Sequence, residues 1–118
     1  LSDTGLPQQW RLFRCLRDER GAAPPILRAQ DILKDPRSVL TALCEALGVP
    51  FREAMLSWDP GPRETDGLWA QYWYDAVVDS TEFRPYEPKD EPVPDRLAAL
   101  HDECRTLYDK LASHRLHP

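Results

Sequence analysis

Apolar residues recur at helical intervals in three stretches of the chain. Leu6, Trp10, Phe13 and Leu16 repeat every three or four positions, with Pro7 suited to a first turn and Gly21 to a C-terminal cap. In "DPRSVLTALCEALGVPF" the stripe is Val39, Leu40, Leu43, Cys44 and Leu47. Asp35 can cap this helix, Pro36 fits its first position, and Gly48 followed by Pro50 ends it. Leu97, Leu100, Cys104, Leu107, Tyr108 and Leu111 line one face of a third helix, from about Pro94 to Ser113. Between them "QDIL" and "FREAML" read as short helical turns, and a further helix is predicted from about Gly67 to Val78. "ILRA", after "GAAPP", is the one clear strand candidate, and one strand cannot make a sheet. Residues 84–94, "RPYEPKDEPVP", hold four prolines to no period and form an extended connector to the last helix. The predicted content is mostly α: four or five helices and one short strand. It is odd as a complete fold and sensible as the C-terminal part of an α/β protein.

Composition narrows the class. At 118 residues, positions 1–118 make a single domain or a fragment of one. An apolar content of 42% allows a small core, and 30% charged residues argue for a soluble protein. No apolar run nears the roughly 20 residues needed to cross a bilayer, and no signal-peptide pattern is present. A net charge of −5 argues against a non-specific nucleic-acid binder. Cys15, Cys44 and Cys104 are odd in number and far apart, and read as reduced, buried thiols of a cytoplasmic protein. The pairs His101/Cys104 and His114/His117 are too incomplete for a zinc site, and no metal is assigned. A chain that begins at Leu1 reads as processed or cut from a longer one.

Candidate chemistry gathers in "SWDPGPRETDGLWAQYWY", Ser57 to Tyr74. It holds three of the four tryptophans and one loop cation, Arg63, among Asp59, Glu64 and Asp66. Trp69, Tyr72, Trp73 and Tyr74 suit core or inter-domain packing, or ring contact with a ligand; Trp58 suits an anchor for the loop. Arg63 can meet a phosphate or pair with a neighbouring acid. Arg11, Arg14, Arg17 and Arg20 read as a solvated basic face paired with Asp18 or Glu19.

The order of these elements resembles the second half of sulfotransferases. The residues concerned are Gln30-Asp31-Ile32-Leu33, Asp35-Pro36, Val39-Leu40, Leu43 and Leu47-Gly48. The following "GPRETDGLW" resembles a tryptophan-rich loop of a bacterial sulfotransferase-like group, so that the likeness runs from about Gly5 to Leu116. The resemblance implies a P-loop-type α/β fold that binds 3′-phosphoadenosine 5′-phosphosulfate (PAPS) and passes its sulfuryl group to a hydroxyl or amine of a small acceptor. It implies that Arg63, Gly67 and Trp69 belong to the loop that closes over the nucleotide. Matched to that family's "R-K-G-x-x-G-D-W", the loop has Pro62 at the arginine position, Arg63 one place late, and the lysine replaced or lost. The phosphate-binding loop and the catalytic base lie in an N-terminal half, so this chain alone is expected to be inactive and to bind nucleotide weakly, with no catalytic residue assigned. Aminotransferase-type names, carried by some bacterial relatives, find no support in Lys34, Lys89 or Lys110, which sit in polar surroundings. The alternative is a non-catalytic helical module that contacts a protein partner through its Trp/Tyr surface.

Overall fold

The stripe beginning at Leu6 folds as α1, Leu6–Arg20, with proline in its first turn and Gly21 at φ 68° closing it. In the computed structural model, which describes residues 1–118, α1 belongs to a compact unit formed by Leu1–Arg28 and Glu87–Pro118. Its partner is the last helix (Ala98–Ala112), entered through a 3₁₀ turn at Asp95–Leu97. Phe13 and Leu111 are the buried side chains of this unit. Trp10 and Phe13 stack with ring centroids 5.7 Å apart, and the His114 ring lies 4.8 Å from Phe13. Cys104 and Leu107 are half-buried, whereas Tyr108 is exposed.

Two expectations fail in this unit. The strand at "ILRA" is one isolated parallel bridge, Ile26 with Arg115, where Leu116 N–H donates to the Ile26 carbonyl at 2.8 Å. No second strand lies alongside to extend the ladder, so the segment never becomes regular. Cys15, expected to be buried, is exposed. It is two positions from Phe13 and so on the opposite side of α1. There its thiol donates to Glu19, whose acceptance and negative charge raise the thiol's pKa.

The second unit, Ala29–Tyr86, is built on α2 (Ala29–Lys34) and α3 (Pro36–Leu47), which pack together. The Asp35 carboxylate accepts from Ser38 N–H at 3.1 Å, and Gly48 at φ 68° donates to the Glu45 carbonyl at 3.1 Å. This is the cap pair expected from the sequence. Val39 and Cys44 are buried, and Cys44 meets Met55 of the 3₁₀ turn Glu53–Met55. Arg37 grips Glu53 with two hydrogen bonds, one at 2.7 Å, joining α3 to that turn.

The helix expected over 67–78 is two short ones, α4 (Ala70–Trp73) and α5 (Asp75–Val78). Tyr74 leaves the helical region between them, at φ −105° and ψ 8°. Aromatic and β-branched residues dominate this run and form helices poorly. No buried face compensates, since its rings are exposed. Residues 83–94 carry no regular element. The final helix, Ala98–Ala112, is α6. No helix is long and apolar enough to cross a membrane.

Candidate functional site

The loop between the two halves of the second unit is pinned at its neck. Ser57 and Glu82 form an antiparallel bridge, and Trp58 N–H donates to the Thr81 carbonyl at 2.8 Å. The Trp58 indole Nε1 donates to Ser80 Oγ at 3.1 Å, and its ring meets Phe83 edge-on at 5.4 Å. Trp58 is thus an anchor for the loop. Further in, Gly61 N–H donates to the Val78 carbonyl at 2.7 Å with φ at 114°, a conformation that a side chain would strain.

Within this neck the chain turns at Arg63–Asp66. Arg63 N–H donates to Asp66 Oδ2 at 2.8 Å, and Asp66 N–H returns to the Arg63 carbonyl at 2.9 Å. The bond to Asp66 therefore uses the Arg63 backbone, and its guanidinium enters no ion pair. Arg63 and Gly67 line an open hollow of about 580 Å³, walled by Asp66, Asp75, Asp79 and Gln71. Trp69 is not in that lining: with Leu68, Gln71 and Tyr72 it borders a second open hollow of about 500 Å³. The structure thus brings Arg63 and Gly67 together and turns Trp69 to the next hollow along.

The aromatics do not form a core. Trp69 and Trp73 are 73% and 76% exposed, and Tyr72 is 69% exposed. The reading of these rings as buried helix packing is corrected: short α4 has no facing element to cover them. Sequence reasoning also missed Asp75 and Asp79. Their spacing of four, from the first residue of α5 to its C-cap and beside an arginine-bearing loop, was the available signal. One cation facing three carboxylates is the wrong charge balance for a phosphate or sulfate, so these residues unaided do not fit a PAPS site.

The other candidates lie elsewhere. Arg17 pairs with Asp18 at 2.8 Å and sits over the Phe13 ring. His101 lies at the surface beside Asp102, and His114 is taken up by the rings of α1. Nowhere do three or more His, Cys, Asp or Glu side chains gather as a metal ion requires.

Comparison with known proteins adds a family. The model of the sulfotransferase domain matches residues 14–111. Two Arabidopsis thaliana proteins, called branched-chain-amino-acid aminotransferase-like proteins 2 and 1, are 35% and 34% identical over 99 residues, which is 84% of this chain. The chain spans only 18% of either relative's length. No solved structure matches it.

Proposed function

Since the chain belongs to the sulfotransferase domain family, we propose that it supplies the loop-bearing C-terminal part of a sulfotransferase-like protein. In that protein PAPS is the sulfuryl donor and a hydroxyl or amine of a small molecule the acceptor. The observation that supports this reading is the order of parts: a helix capped at Asp35 and Gly48, followed by a loop whose neck is closed by Trp58, Ser80 and Phe83. Arg63 and Gly67, both in that loop, line one hollow there.

This chain's share in that function is binding and closure, not chemistry. Its five glycines include no glycine-rich turn followed by Lys and Ser or Thr, the device that cradles phosphates in P-loop proteins. The excess of carboxylates around Arg63 means that further cations must come from elsewhere in the complete protein before an anion is held. Within that protein Arg63 would be this chain's one cation at the hollow, and the pinned neck would keep the loop in register.

The test is turnover. The complete protein, given PAPS and panels of phenols, alcohols and amines, should release 3′-phosphoadenosine 5′-phosphate with at least one panel, while the 118-residue chain releases none. No release by the complete protein with any acceptor would contradict the proposal. A second reading, a non-catalytic contact module, is favoured by one observation, the exposure of the aromatic surface.

A further inference from the structure

Ser57–Arg84 carries six carboxylates against two arginines, a balance of −4, where the whole chain balances at −5. The same segment exposes Leu68, Trp69, Tyr72, Trp73 and Val77, five large apolar side chains within ten consecutive residues. Single exposed apolar residues are ordinary; a cluster of aromatics ringed by polar groups is the mark of an interaction surface. Trp69 and Tyr72 stand 6.4 Å apart at the edge of their open hollow. Asp66, Asp75 and Asp79 line the hollow beside it, and none of the three is held in an ion pair. Arg84 donates to the Ala76 carbonyl at 3.0 Å and not to these acids.

We infer that this acid-rimmed aromatic surface docks a basic polypeptide segment, one that presents Lys or Arg around an apolar centre. Charge complementarity selects this occupant. Guanidinium groups stack on indole and phenol faces and pair with carboxylates, so one kind of side chain satisfies both components of the surface. A second copy meeting the same patch face to face would set like charges against each other. An anionic vesicle would be repelled by the same carboxylates. The inference goes beyond the sulfotransferase reading and needs no nucleotide, so either can fail alone.

The probe is a labelled amphipathic peptide of Leu and Lys, with a Leu and Glu counterpart, titrated with the 118-residue chain at low salt and followed by anisotropy. The Lys peptide should bind, the Glu peptide should not, and added salt should weaken the complex. Trp69→Ser and the pair Asp75→Asn/Asp79→Asn should each weaken binding at least about fivefold, with circular dichroism unchanged, because all three side chains are exposed. Equal binding of both peptides, binding of neither, or binding that both variants leave intact would overturn the inference. Dimerisation of the chain that Trp69→Ser abolishes would overturn it in favour of a second copy. Displacement of the Lys peptide by 3′-phosphoadenosine 5′-phosphate would overturn it in favour of a nucleotide.

Discussion

Asp35 shows how a single side chain sets both a boundary and a pH response. Its carboxylate accepts Ser38 N–H, and hydrogen bonding first from the Ser38 side chain and then from that backbone N–H holds its pKa below the ordinary carboxylate value. Glu53 is likewise lowered, first by its hydrogen bonds from Arg37 and then by the guanidinium charge. A carboxylate whose folded pKa lies below its unfolded one stabilises the fold above the unfolded value, about 4, and loses that contribution as pH falls through the folded value. Both groups are exposed, so each effect is modest. Thermal melts should therefore show a midpoint insensitive to these groups above about pH 5 and falling below about pH 4. Asp35→Asn with Glu53→Gln should flatten part of that fall, and an unchanged acid slope in the double variant would contradict the assignment. These caps were legible because they depend on neighbours three or four positions away. Cys15 was misread for the complementary reason: its apolar neighbours in sequence lie on other faces of α1.

The helices whose apolar stripe has a packing partner appeared as expected, α3 from Pro36 to Leu47 being the clearest. The stretch from Gly67 to Val78 did not, because its aromatic spacing imitates a helix stripe while no element covers it. Periodicity reports that a helix would have an apolar face, not that a partner exists for it. The strand at Ile26 was overestimated in the same way, since pairing partners are not encoded locally. What holds the 59–79 loop is instead its neck, and Trp58 contributes both a ring contact and an indole donor there. Trp58→Phe retains the ring and deletes the donor to Ser80. Amide exchange should then speed up through the loop, with α3 protection unchanged. Equal acceleration in both would mean that Trp58 supports the unit as a whole and not the loop in particular.

For the chain as a whole, the family was readable from order and spacing, and the match over residues 14–111 agrees with it. The loop's position was readable too, as was Arg63 within it. Its electrostatic surroundings were only half visible: Asp59, Glu64 and Asp66 are neighbours in sequence, but Asp75 and Asp79 reach the same hollow through the turn of α5. The exposure of the tryptophans depends on what packs against them, which composition does not state. The relatives continue well beyond the matched stretch, and their names speak of aminotransferases, whereas the family that spans this chain is a sulfotransferase domain. Calorimetric titration of the complete protein with 3′-phosphoadenosine 5′-phosphate, beside its Arg63→Ala variant, decides whether this loop serves a nucleotide. Deleting a charge-assisted hydrogen bond from Arg63 to a phosphate should weaken binding roughly tenfold or more. An affinity unchanged by Arg63→Ala would contradict a nucleotide role for the loop.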